Sequence, residues 1–273
     1  MTHGFWIWQL AVAVVLNCVV QALAIAAYAA RLAGARSGRV ATAISLYNIF
    51  AVSSRLAQMF YTPMLGALSD RASHGALGSY EWQLRAIVFG GTIGAVLGTL
   101  AIPTFVVLYL RAIRSLERNG NVPRAALGLL RPATFASVVR GVKLGTESRL
   151  WDLPFRRVPK DILLLNVLVT AVYGIGVVAA AYASVLYPQG ARTALLSSGL
   201  VNGFATIAFT IVVDPASAMI TDRAVRGERS IDDVRALVAG LSGTAILGLA
   251  LSQLLLVPGA GLIELGAKAI IGR

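Results

Sequence analysis

This chain has one cysteine and two histidines in 273 residues, and each scarcity closes off a class of chemistry. Cys18 stands inside an apolar run, where a small core residue is expected, so there is neither a disulfide framework nor a thiolate metal site. His3 and His74 lack companions at ligand spacing, and no metal is expected. Asp and Glu number 12 against 24 Lys and Arg. No apolar run holds a carboxylate pair or a His–Asp arrangement, so the residue types needed for acid–base or nucleophilic catalysis do not meet. The phosphate-cradling pattern Gly-x-x-x-x-Gly-Lys-Ser/Thr is absent as well. These absences point away from an enzyme and from any cofactor. Work done by such a chain must draw on a gradient, the membrane potential or consumption of a product.

What the chain has in quantity is apolar surface. Hydrophobic residues make up 57% of it and charged residues 13%, which at this length means several membrane spans and not one soluble core. Roughly 20 helical residues cross the hydrocarbon. Apolar runs of that order lie at residues 5–30, 40–62, 86–110, 161–187, 194–221 and 236–257. The expected fold is an all-α polytopic membrane protein with six transmembrane helices. It divides into a first three-helix half at 1–110, a basic loop at 111–160 and a second three-helix half at 161–273. The first run is too long for a signal-peptide core and has no basic segment before it, so it is read as a span.

The net charge of +12 is unevenly distributed. With six spans, both termini share one side, which carries five cations: Arg71, Arg85, Arg192, Lys268 and Arg273. The other side carries eighteen, namely Arg31, Arg36 and Arg39, eleven between Arg111 and Lys160, and Arg223, Arg226, Arg229 and Arg235. The positive-inside rule then puts the termini outside and the central loop in the cytoplasm. That loop mixes its cations with apolar stretches such as Leu127 to Leu130 and Phe135 to Val139, which suits short amphipathic helices on anionic lipid headgroups. No nucleic-acid-binding fold accompanies the charge, so lipid and not nucleic acid is the expected partner.

Arg55 escapes this sorting because it lies within the second span. A guanidinium there keeps its proton and costs roughly 2.5 to 3.5 kcal/mol near mid-bilayer, so it needs a partner or water. At about 100° per residue, Ser45, Asn48, Arg55, Gln58 and Thr62 share one side of the helix, a polar stripe suited to lining a path for something anionic. Asp214 is a candidate counter-ion, although its place before Pro215 equally suits a helix cap. Arg31 and Arg36, at the cytoplasmic end of the first span, fit either lipid headgroups or a ligand.

The second half repeats features of the first at an offset of about 150 residues. Asn166, Thr170 and Tyr173 echo Asn17, Gln21 and Tyr28. Gly90, Gly94 and Gly98 in the third span find their counterpart in Ala236, Gly240, Thr244, Gly248 and Ser252 in the sixth, strips that allow close helix approach. In the fifth span Ser198, Asn202, Thr206, Thr210 and Asp214 form a second polar stripe. Pro63 precedes Asp70-Arg71-Ala72 by seven residues, as Pro215 precedes Asp222-Arg223-Ala224. Three spans per half make the expected relation an inverted repeat, with the site near the midplane between the halves. The small-residue strips also suit packing between two chains, so a homodimer is one expectation.

The runs Tyr28-Ala-Ala-Arg31-Leu-Ala-Gly34-Ala-Arg36, Ser45-Leu46-Tyr47-Asn48-Ile49 and Val52-Ser53-Ser54-Arg55-Leu-Ala-Gln58-Met59 resemble the Amj family, the bacterial lipid II flippases alternate to MurJ. The resemblance implies that the ligand is undecaprenyl-pyrophosphoryl-disaccharide-pentapeptide, carried from the cytoplasmic to the outer leaflet for cell-wall synthesis. Arg55, Arg31 and Arg36 would then meet the pyrophosphate, and Asn48, Gln58, Ser45, Tyr28 and Asn202 the sugars, with Asp214 in the same site. A second resemblance competes: Pro63-Met-Leu-Gly66-Ala-Leu-Ser69-Asp70-Arg71 is similar to a loop of the twelve-span major facilitator transporters. That loop is cytoplasmic in those proteins, whereas the charge distribution here places it outside. The alternatives are thus a half-size solute transporter of that kind, a membrane enzyme acting on prenyl phosphates, or an assembly role without transport.

Overall fold

Within a bilayer every peptide N–H and C=O must find its partner inside the chain, and a helix satisfies this locally. The computed structural model describes residues 3–73, 77–119 and 153–272, and outside short turns these are helical. In chain order the helices are α1 (His3–Ala26), α2 (Ala29–Ser37), α3 (Val40–Ala72), α4 (Leu77–Asn119), α5 (Lys160–Leu186), α6 (Ala191–Leu196), α7 (Ser198–Ala208), α8 (Asp214–Val225) and α9 (Ile231–Ile271). They make six segments long and apolar enough to span a membrane: Ile7–Ser37, Val40–Ala72, Ser79–Glu117, Lys160–Leu186, Pro188–Val225 and Ile231–Ile271. The chain is a six-span, all-α membrane protein.

The helices outrun the apolar runs that revealed them. Residues 77–85, expected as part of a polar link, belong to α4, and the same helix continues nine residues past Leu110 into the basic segment. Hydropathy marks only the length in hydrocarbon, while backbone hydrogen bonding carries a helix on into water. At the start of α9 the Ser230 side chain accepts from the Asp233 N–H and the Asp233 side chain accepts from the Ser230 N–H, a reciprocal cap. His74 and residues 120–152, with the amphipathic helices expected there, lie outside the described residues.

Two spans are interrupted. Between α1 and α2 the ladder tightens: the N–H groups of Tyr28, Ala30 and Arg31 donate to the carbonyls of Ile25, Ala27 and Tyr28, three residues back. A turn of this kind eclipses residues i and i+3, which brings Arg31 over Tyr28. The fifth span, expected as one continuous helix, is broken. A 3₁₀ turn at Pro188–Gly190 precedes α6, and a π turn at Phe209–Val213 separates α7 from α8. The Asp214 N–H reaches five residues back to the Phe209 carbonyl. Pro215 supplies the reason, because it has no N–H for the carbonyl of residue 211 and its ring would collide with that group in a regular turn.

Each half is held by one close helix pair. In the first half α4 lies on α1 with its glycines at the contact: a Cβ on Gly94 would sit 2.1 Å from the Cys18 carbonyl oxygen, and one on Gly98 2.5 Å from that of Ala22. In the second half α9 lies on α5, where a Cβ on Gly248 would sit 2.6 Å from the Val167 carbonyl oxygen and the Ser252 hydroxyl donates to the Ala171 carbonyl at 2.8 Å. A buried asparagine pins each pair: Asn17 donates to the Ile87 carbonyl at 2.8 Å, and Asn166 to the Leu241 carbonyl at 2.9 Å. The small-residue strips are packing surfaces, as membrane helices require where lipid tails leave no hydrophobic drive for association.

Candidate functional site

Polar contacts between the two halves gather at two levels. On the level of the α2–α3 turn, Arg31 pairs with Asp214 and the Tyr28 hydroxyl donates to Asn166 Oδ1 at 3.5 Å. On the opposite level, Arg85 pairs with Glu81 and donates to the Gln253 carbonyl at 2.8 Å, the Gln253 amide donates back to the Arg85 carbonyl at 2.9 Å, and the Tyr182 hydroxyl donates to Glu81 at 3.1 Å. The Ser69 hydroxyl lies 2.7 Å from that of Tyr80 beside them. Asn166 and Tyr182 mark the two levels along α5, about 24 Å apart at the helical rise.

A cavity of about 280 Å³ adjoins the first cluster. Its walls are Ala30 and Arg31 of α2, Val40, Ala43, Ile44, Tyr47 and Asn48 of α3, and Asp214, Pro215, Ala218 and Thr221 of α8. Most of this surface is apolar and a few polar groups converge on it, the usual make-up of a ligand pocket. The chain can place α3 this close because α2 ends on Gly38, at φ +68°, and Gly34 faces Ala43, where a Cβ would come within 3.0 Å of the alanine methyl.

Arg31 is the charge at the centre. Its Nη2 lies 2.5 Å from Asp214 Oδ1, and its side chain is 11% exposed against 33% for the aspartate. The guanidinium lies over two tyrosine rings, 5.2 Å from the centre of Tyr28 and 5.7 Å from that of Tyr47, contacts that favour a desolvated cation. Tyr28 stacks in turn on Phe209 of the π turn, with ring centres 6.5 Å apart and planes at 16°. Arg31 Nη1 is buried and, among the described residues, meets no acceptor. The helix-cap reading of Asp214 gives way, since Val213 holds the cap position and Asp214 is the first residue of α8. Among the described residues its partner is Arg31.

Of the residues expected to bind a ligand, the fold gathers Arg31, Asp214 and Asn48 on the cavity, with Tyr28 directly behind Arg31. Arg36 is exposed in the last turn of α2 and does not line it. Ser45 spends its hydroxyl on the Ala41 carbonyl of its own helix at 3.1 Å, and Thr62 does the same with Gln58 at 3.0 Å. Gln58 lies about 15 Å along α3 from Asn48. Asn202 packs on Gly176 of α5, away from the cavity, with its side-chain oxygen buried and, among the described residues, without a hydrogen-bond donor. Arg55 belongs to α3, but its side chain is outside the described residues. Sequence reasoning did not select Tyr47 or Thr221 for the site, although Tyr47 stands beside Asn48 in a run that carries the family resemblance and Thr221 is seven residues beyond Asp214.

The family model described as "Amj: Alternate to MurJ" matches residues 16–267, which include all the cavity's walls. The chain belongs to the Amj family. It is 36% identical over 235 residues to the curated "Lipid II flippase Amj" of Bacillus subtilis (strain 168), an overlap covering 86% of this chain and 87% of that protein. No solved structure matches. Family membership favours the flippase resemblance over the major-facilitator one, whose supporting residues, Pro63 to Arg71, are a short run that the structure places inside α3 and not in a loop.

Proposed function

We propose that this protein is a lipid II flippase that moves the undecaprenyl-pyrophosphate-linked peptidoglycan precursor from the cytoplasmic to the outer leaflet, without making or breaking a covalent bond. The observation that carries the proposal is family membership across nearly the whole chain, together with a flippase that is 36% identical. The geometry is in keeping with it. A diphosphate needs a guanidinium, and Arg31 stands at the wall of a cavity between the halves. A sugar needs neutral hydrogen-bonding groups, and Asn48 stands on that wall. The polyprenyl tail needs only lipid, and α3 and α7 present exposed Met59, Phe60 and Phe204.

With the termini outside, the Gly38 turn, the α8–α9 connection and the cavity all fall on the cytoplasmic side, where the precursor is made. Arg36, in the last turn of α2, then meets anionic headgroups. Arg55, on the same helix as Asn48, serves the headgroup further along the path. The like pairings of α1 with α4 and of α5 with α9 support an inverted repeat, and the broken fifth span is the kind of element around which transporters of that design build their sites. Depleting a host of its other lipid II flippases and supplying this chain tests the function: lipid II reaches the outer surface and growth is rescued. Intact membrane insertion with lipid II retained inside would sink the reading.

A further inference from the structure

We infer that Asp214 is an exchangeable counter-ion, a built-in competitor that holds Arg31 while the site is empty and yields it to the diphosphate of the ligand. The inference rests on the proposed function for the identity of that ligand, but not for the chemistry of the exchange. Arg31 is the deeper partner and Asp214 the more open one, and both line the cavity. An arginine offers five donors, and among the described residues Asp214 is the acceptor it meets, through Nη2, while Nη1 is buried without one. The pair is therefore single-pronged, weaker in geometry than the forked pairing a guanidinium makes with phosphate oxygens.

A bare guanidinium at this depth is costly, and so is the removal of one member of a buried ion pair. An anion that supplies its own oxygens as the carboxylate leaves avoids both costs. A prenyl diphosphate meets that requirement with more charge and more acceptors than Asp214. The two anions then exclude each other. The carboxylate weakens binding in proportion to its hold on Arg31 and promotes release by taking Arg31 back. Tyr28 lies behind Arg31 in the first span, Tyr47 and Asn48 of α3 share the cavity wall with Asp214, and among the described residues Arg31 is the cation that pairs with the carboxylate. Arg31 belongs to the first half and Asp214 to the second, and their pair is one of the polar ties between the halves on this level. Exchange of the counter-ion thus loosens the halves where the ligand enters and restores the tie when it leaves. The Pro215-driven π turn, which ends at Asp214, is the local device that presents the carboxylate here.

The test uses the full chain in nanodiscs of neutral phosphatidylcholine with farnesyl diphosphate as the probe. Asp214→Asn should bind the probe about tenfold more tightly than the parent, and Arg31→Lys at least tenfold more weakly. Phosphatidylglycerol added to the discs separates the sources of phosphate: competition with the probe assigns the site to any phospholipid headgroup, and no competition reserves it for the diphosphate. Because Asp214→Asn leaves Arg31 unpaired and can misfold, a measurement on the parent protein stands beside it. Carbodiimide labelling of Asp214, mapped by mass spectrometry, should rise when farnesyl diphosphate is added. Unchanged or weaker binding by folded Asp214→Asn overturns the inference, as does labelling that stays level or falls, because Asp214 is then a structural tie or a direct ligand contact. The two readings fail separately: the predicted exchange without lipid II transport refutes only the flippase assignment, and transport without exchange refutes only the counter-ion.

Discussion

A methyl group at Gly94 would have to occupy space 2.1 Å from the carbonyl oxygen of Cys18, and that oxygen is backbone that cannot swing aside. Gly94→Ala is therefore expected to lower stability by about 1–3 kcal/mol as α1 and α4 are pushed apart. Gly66 in α3 is the control. Nothing lies within 4 Å of its Cβ position, so Gly66→Ala should raise stability by about 0.5–1 kcal/mol through helix propensity alone. Thermal unfolding of both variants in detergent checks the pair, and equal melting temperatures would refute the packing account. The first position was legible in advance, since glycine every fourth residue on an apolar helix has few other uses. Arg31 was less so. An arginine near the end of a span reads as a headgroup contact, and only the approach of α8 turns it inward to Asp214.

Asparagine in a membrane helix can bond across to another helix, and Asn17 and Asn166 do so in corresponding places. Replacing either by leucine should cost about 0.6 kcal/mol per bond, at most about 1.7, with the larger loss at Asn166, which also bonds Thr244 and Tyr28. Denaturant titration of the two single variants measures this, and a loss at one site only would weaken the repeat. The fifth span carries a different expectation. Pro215→Ala removes the reason for the π turn, so the turn should close to a regular helix and carry Asp214 out of register with Arg31. Lipid II surface exposure should then fall while protein level and melting temperature hold or rise. The sequence offered the proline and the aspartate side by side, and a cap was as good a reading as a counter-ion. Periodicity tells which residues share a face and is silent on the helix that face will meet.

The whole molecule adds its sidedness. Cys18→Ala supplies a cysteine-free background, since Cys18 is the single cysteine. Cysteines placed at Gln189 and Glu228, both exposed in connections on opposite sides of the bundle, should then react from outside and from the cytoplasm respectively. The reverse labelling would turn the cavity to the outer face and refute loading from the cytoplasm. At this scale the amino-acid order by itself determined that six apolar segments cross the bilayer and that glycine strips pack them, because hydropathy and helical spacing are local properties of a chain whose peptide groups have no other way to be satisfied in lipid. It also placed Asn48, Arg55 and Gln58 on one polar stripe. Tertiary structure alone decided that Asn48 faces a cavity, that Ser45 and Thr62 turn back onto their own helix, and that Arg31 meets an aspartate 183 residues away. An ion pair across two halves depends on the distance between helices, and that distance is set by how every other side chain packs.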